Sequence, residues 1–239
     1  MRLPFTAQTD RPVRSWPVRI ARALLLLAVA PIPLILLFAV INPPVTMVML
    51  GRVVQRVGAG ERPYWPAHTP IARSDMTPSV RRAVLASEDD RFYLHNGIDF
   101  VELNNALDRR KRGGKLRGAS TLTQQVAKNI FLWNGRSFIR KGMEAYLTVL
   151  LEIFLTKERL LDLYLNLAEW GPNQFGIEAG AQHHFRKSAS RLTRDEAARM
   201  AAILPSPRKW SPRGPIASRR VGAILGRMQY AAPRTEEVK

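Results

Sequence analysis

The residues best suited to chemistry lie between Ala86 and Asp99, where the chain reads ASEDDRFYLHNGID. Glu88, Asp89 and Asp90 stand in a row in a chain whose 37 Lys and Arg outnumber 19 Asp and Glu, for a formal net charge of +18. The approach to them is helical by pattern. Thr77 suits an N-cap, Pro78 the first helical position, and Val80, Val84 and Leu85 recur at helical spacing. Glu88 follows four residues after Val84, on the apolar face and near the helix C-terminus. Burial and the negative end of the helix dipole both disfavour an ionised carboxylate, so both raise its pKa. A carboxylate held in that way is a candidate general base. The rival reading, an exposed acidic turn, stands beside it at this point.

A second acid, Glu144, ends the run RKGME, with Arg140 and Lys141 four and three residues ahead of it on one helix face. At a surface this is an ion pair worth roughly 0.3–0.5 kcal/mol. Its base-before-acid order is the less favourable one on an isolated helix. Two acids with clustered cations also suit glycosyl transfer from a phosphate-linked donor: one acid activates the attacker while cations hold the departing phosphate. A third piece is GASTLTQQVAKN (118–129). Gly118 and Ala119 permit close backbone approach, and Thr121 starts a helix whose N-terminus can face an anion. Gln124 and Lys128 share one helix face, Gln125 and Asn129 the next, making a polar wall for sugar or phosphate. Neither a P-loop nor a G-x-G-x-x-G after a strand is present. Cysteine is absent, which removes thiol nucleophiles and disulfides, and the four histidines (68, 95, 183, 184) lack zinc-like spacing.

These groups need elements to position them. Residues 1–22 carry five arginines against one acid, and Ala23–Ile41 then runs nineteen residues without a charge. That is just enough to cross a hydrocarbon core. A cleaved signal peptide is the rival, with Ala28-Val29-Ala30 as the cleavage mimic. Apolar residues continue past Pro31, so the segment reads as a retained anchor with a cytoplasmic N-terminus. Residues 42–66 read as a juxtamembrane connector whose Met47, Val48, Met49 and Leu50 suit the membrane interface. Beyond it the patterns are helical. Thr121 with Gln124 and Thr193 with Glu196 make capping boxes, 140–156 reads as a long helix, and 157–166 as another. No alternating run is long enough to suggest a sheet. Residues 67–230 form the one domain expected, with a tail at 231–239.

Taken in order, EDDRFYLHNGID (88–99), GASTLTQQVAKN (118–129), RKGME (140–144) and KERLLDLYLN (157–166) resemble the biosynthetic peptidoglycan transglycosylases. These are the monofunctional relatives of the glycosyltransferase module of class A penicillin-binding proteins. EWGPNQFGIEAGAQHHF and LPSPRKWSP extend the resemblance over roughly residues 45–215, and Ala119 departs from it where a second glycine is usual.

The resemblance implies a mainly α fold: a lysozyme-like helical glycosyltransferase domain with a small membrane-facing jaw, behind one N-terminal transmembrane helix. It implies lipid II and the growing glycan chain as substrates, and β-1,4 glycan with undecaprenyl pyrophosphate as products. By the same resemblance Glu88 is the base and Glu144 assists near the departing group. Lys128, Arg140 and Lys141 contact the pyrophosphate, and Ser120, Thr121, Gln125 and Asn129 line the donor site. Asp89, Phe92 and His95 support Glu88. No cofactor is required by the sequence, though the chemistry admits a divalent cation (Mg2+ or Mn2+) on the substrate pyrophosphate. The implied setting is the bacterial inner membrane, with the catalytic domain on the periplasmic side. The implied partners there are membrane lipids and other cell-division or cell-wall synthesis proteins, not nucleic acid. A muramidase or lytic transglycosylase is the enzymatic alternative, and a basic membrane-anchored scaffold the non-enzymatic one.

Overall fold

The computed structural model describes residues 16–114, 120–135 and 137–231. Gly118, Ala119, the centre of the basic loop before them, the arginines ahead of Trp16 and the tail after Ala231 lie outside that range. The apolar N-terminal segment is helical over Trp16–Phe38, long and apolar enough to cross a membrane. It starts ahead of the charge-free run because Arg19 and Arg22 extend the helix without interrupting it. Two proline positions divide it into α1 (Trp16–Val29) and α2 (Ile32–Phe38), since Pro31 and Pro33 offer no N–H to the helical ladder. The lengths of chain behave differently. No residue of α1 is buried, whereas Ile35 and Phe38 of α2 enter the main core, Phe38 with its ring 6.5 Å from that of Phe131.

The connector holds more structure than its composition suggests. Thr46 accepts a hydrogen bond from the Met49 N–H and starts α3 (Met47–Gly58), an amphipathic helix. Met47, Leu50, Val54 and Val57 are exposed on it, while Val48 and Met49 pack inward on Phe175. The apolar quartet expected at the membrane interface is therefore split between interior and surface by the helical period.

A sheet is present where none was expected. Its strands are β1 (Ala67–His68), β2 (Glu169–Gly171) and β3 (Gln174–Phe175), in the order β1-β3-β2. β1 runs parallel to β3 and β2 antiparallel to it. Strands of two or three residues are too short for alternation to register in a sequence.

The rest is helical: α4 (Pro78–Glu88), α5 (Phe100–Lys111), α6 (Leu122–Phe131), α7 (Phe138–Phe154), α8 (Lys157–Leu167), α9 (Ile177–Phe185), α10 (Arg194–Ile203) and α11 (Pro215–Arg227). Both capping boxes form, at Thr121–Gln124 and Thr193–Glu196. Every residue from Leu160 to Leu167 is buried, which makes α8 the centre of the domain. α6 packs on α7 and α8, and α10 lies against both α4 and α11. The buried alanines 197, 198, 201 and 202 let α10's neighbours approach closely. Several polar groups inside are paired. Asp162 on α8 receives Arg73 and Arg81, and Asn166 binds both the N–H and the carbonyl of Ile71. The Arg159 guanidinium donates to the carbonyls of Phe38 (2.7 Å) and Ile41 (2.6 Å), which caps the C-terminal end of α2.

The second half of the apolar segment, α2, is thus part of the fold, and where the segment is cut should matter. A deletion ending at residue 30 keeps Ile35, Phe38 and both carbonyls bound by Arg159; one ending at residue 41 removes them. The longer deletion should melt lower by about 5 °C or more in the same detergent, from the loss of roughly 2–3 kcal/mol of side-chain burial. Equal melting temperatures would show that α2 contributes nothing to the domain.

Candidate active site

Glu88 is the last residue of α4, which Thr77 caps and Pro78 opens. The side chain is half-buried and lines a cavity of 580 Å³ together with Ser87, Ser120, Gln125, Trp210 and three arginines of α11. Gln125 Nε2 donates to Glu88 Oε2 at 3.2 Å, and the Ser87 hydroxyl lies 3.1 Å from Glu88 Oε1. Burial pushes the carboxyl pKa up; the Gln125 and Ser87 hydrogen bonds and the Arg220 charge oppose it, Asp89 reinforces it, and the outcome is a raised value. The exposed acidic turn is thereby excluded for Glu88. It does describe Asp90, which is exposed.

Asp89 has a different task. It is the C-cap of α4, and its Oδ2 accepts the N–H of Leu122 in the first turn of α6 at 2.9 Å. His95 Nε2 donates to the same carboxylate at 3.0 Å. Phe92 is buried beneath, with the Lys157 ammonium 4.5 Å from its ring centroid. Gly97 closes the loop at φ +86°, where a Cβ would stand 2.7 Å from Thr148 Cγ2, so only glycine fits.

On α6 the polar wall is divided between structure and cavity. Thr121 is buried, its hydroxyl donating to the Gly97 carbonyl and accepting from the Gln124 N–H. Gln124 is spent on the capping box, and Asn129 is buried. Ser120 and Gln125 face the cavity.

Glu144 on α7 is 3 % exposed, which overturns the surface ion pair. Its Oε2 accepts from Arg140 Nη1 at 2.7 Å, and its Oε1 accepts from the Lys141 ammonium. Lys141 reaches on to the Ser120 hydroxyl at 3.2 Å. Ser120 therefore joins the two halves: it lines the cavity that holds Glu88 and touches the cation cluster held by Glu144. Lys128 senses the same cluster. Burial lowers its pKa, Glu144 opposes this, and the charges of Arg140, Arg52 and Lys141 lower it further. Glu144 is one carboxylate beside three cations, Lys128, Arg140 and Lys141, since Arg52 is paired with Glu169; the cluster is left net positive, suited to a dianionic or more highly charged group.

Those contacts set a carboxylate of raised pKa beside a net positive cluster. Residues 52–229 match the transglycosylase family. The chain belongs to that family. The biosynthetic peptidoglycan transglycosylases of Pseudomonas putida (strain W619) and Pseudomonas entomophila (strain L48) are 48 % identical to it over 204 and 199 residues, covering 83 % of this chain and 84 % of each relative. That of Xanthomonas campestris pv. campestris (strain B100) is 45 % identical over 191 residues, covering 80 % of this chain and 78 % of the relative. In this transglycosylase no group of three or more His, Asp or Glu converges among the described residues. Among the described residues the side chains therefore offer no ready-made cage for a protein-held metal ion.

Sequence reasoning missed one wall of the cavity. Arg219, Arg220 and Arg227 approach Glu88 from α11, Arg220 with its guanidinium 5.8 Å from the Trp210 ring centroid and 3.4 Å from the Ser87 hydroxyl. Positions 220 and 227 are seven apart, two turns along one face, but no local pattern ties that face to Glu88, more than a hundred residues earlier.

The split between Asp89 and Asp90 is testable. Asp89→Ala leaves the buried Leu122 N–H and His95 without their acceptor and should cost about 2–4 kcal/mol in denaturant titration. Asp90→Ala should stay within about 0.5 kcal/mol. Equal effects would remove Asp89 from its place as the tie between α4 and α6.

Proposed function

We propose that this transglycosylase polymerises lipid II into the glycan strands of peptidoglycan during bacterial cell wall synthesis. The observation that carries the reading is the continuity, through Ser120, between the raised-pKa Glu88 and the cation cluster around buried Glu144. The relatives are biosynthetic peptidoglycan transglycosylases, which supports the same polymer.

In this reading the acceptor's GlcNAc 4-hydroxyl enters the cavity and gives its proton to Glu88. Its oxygen forms a bond to C1 of the donor's MurNAc as the C1–O bond to undecaprenyl pyrophosphate breaks. The leaving group departs with the bonding electrons into the field of Lys128, Arg140 and Lys141. Glu144 holds Arg140 and Lys141 in place, so that these donors are aimed before charge develops. Ser120 and Gln125 serve the donor site, with Thr121 shaping the helix entry behind them and Asn129 buried below. A divalent cation such as Mg2+ would sit on the substrate's own phosphate oxygens and supply charge neutralisation there. A single displacement inverts an α-linked donor and yields a β-1,4 strand. The helix Trp16–Phe38 would be a single inner-membrane anchor, with residues 1–22 in the cytoplasm and the domain outside, beside its lipid-linked substrate and other wall-synthesis or division proteins.

Purified full-length protein given lipid II should make polymer, and Glu88→Gln should lose roughly 10²–10⁴-fold of that rate with an unchanged melting temperature. Digestion of the product by a muramidase specific for β-1,4 links should be complete. Cleavage of existing strands in place of polymer growth would overturn the reading in favour of a lytic enzyme.

Lys128→Ala should slow turnover most at limiting lipid II, because a partly dehydrated charge-assisted contact is lost. A rate equal to that of the parent would take Lys128 out of the site.

A further inference from the structure

Glu88 is surrounded by groups from its own helix α4 and from α6 and α11. Ser87 and Asp89 flank it on α4, Gln125 reaches it from α6, and Arg220 acts on it from α11, where Arg219 and Arg227 line the same cavity. Behind Gln125, from α8, comes Tyr164. Its ring is buried, and its hydroxyl donates to Gln125 Oε1 at 3.2 Å. Among the described residues that is the phenol's only hydrogen-bond partner.

A primary amide presents an acceptor on one side and donors on the other, and it can turn over. As placed, Gln125 satisfies both neighbours: its oxygen takes the Tyr164 proton and its N–H meets Glu88 Oε2. Turned over, it would put its oxygen toward Glu88, a pairing that only a protonated carboxyl can make. It would also put its NH2 group toward the phenol, whose buried proton would then have no acceptor. A buried donor left unpaired is costly, so the hydroxyl selects the first arrangement. Burial and the charge of Glu88 push the phenol's pKa well above its usual value, so it stays protonated and keeps donating.

We propose that Tyr164 is a positioning residue for the base: its hydroxyl fixes the Gln125 amide so that the N–H faces Glu88, and thereby holds Glu88 in its proton-accepting form. The inference rests on the reading of Glu88 as general base.

The sign follows from the hydrogen bond. A donated N–H favours the ionised carboxylate, so its loss raises the pH at which Glu88 becomes competent. The measurement is the pH dependence of kcat/KM for lipid II polymerisation by the full chain. Tyr164→Phe should move the acid limb upward by about one pH unit, with the loss largest on the acidic side and shrinking as pH rises. Gln125→Leu should move it in the same direction, and Tyr164→Phe added to Gln125→Leu should move it no further. A uniform fall at every pH with the limb in place would make Tyr164 merely structural and overturn the proposal, as would additive shifts. Should Tyr164→Phe fail to fold, Gln125→Leu decides, because an unmoved limb there leaves the amide with no influence to transmit. Glu88→Gln separates the two levels. If that variant keeps full activity, the base assignment itself falls; if it is inactive while the limb stays fixed in the others, only the role of Tyr164 does.

Discussion

The site depends on one carboxylate that takes no proton from substrate. Asp89 ends α4 and binds the first turn of α6 through the Leu122 N–H. That bond joins the helix carrying the base to the helix carrying Gln125 and Lys128. A helix N-terminus has unsatisfied N–H groups and favours negative charge, so the contact meets a need of α6 while fixing the end of α4. His95 and the Gly97 carbonyl, which receives the Thr121 hydroxyl, hold the same junction from the loop side. Glu88 is then placed by its neighbour in sequence, with no need for packing of its own side chain. That leaves it free to open into a cavity.

Charge is arranged to the same end. A raised pKa on Glu88 and a lowered one on Lys128 share burial as their leading cause. The difference lies in the surroundings. Glu88 has two hydrogen-bonding partners and an arginine to moderate the shift, while Lys128 has one opposing carboxylate and three cations that deepen it. In the proposed mechanism, an anion entering beside Lys128 would relieve that repulsion. Glu144, fully inside, sets the positions of Arg140 and Lys141 and keeps them from repelling one another apart.

Helices and caps were legible in the sequence because each is a local pattern. Thr77-Pro78, Thr121 with Gln124 and Thr193 with Glu196 all appear where spacing alone put them. The family resemblance reached further, to Glu88 and Glu144. What local pattern could not carry was the partition of roles within a block. Asp89 and Asp90 are adjacent and identical, yet one binds α6 and the other is exposed. Thr121 and Ser120 are similar hydroxyls, yet one is consumed by backbone and the other faces the cavity. The arginines of α11 and the inward half of α3 were also hidden, for their partners lie more than a hundred residues away in the chain. The short sheet was hidden for want of length.

The same long-range logic connects the membrane segment to the chemistry. α8 is buried along most of its length and so reads as simple core, yet nearly every polar group on it holds a separate part of the molecule. Arg159 binds the carbonyls at the end of α2; Lys157 pairs with Glu152 and covers Phe92; Asp162 and Asn166 secure the chain that follows the connector; Tyr164 orients Gln125. At about 1.5 Å per residue, Arg159 and Tyr164 lie only about 7–8 Å apart along the helix axis. A close-packed helix does not bend over that distance, so the contact with the end of α2 and the contact with the Gln125 amide are carried by one rigid body. Under the proposed function, with a donor tied to the bilayer by its lipid, such a link would keep the base in line with the reacting carbon.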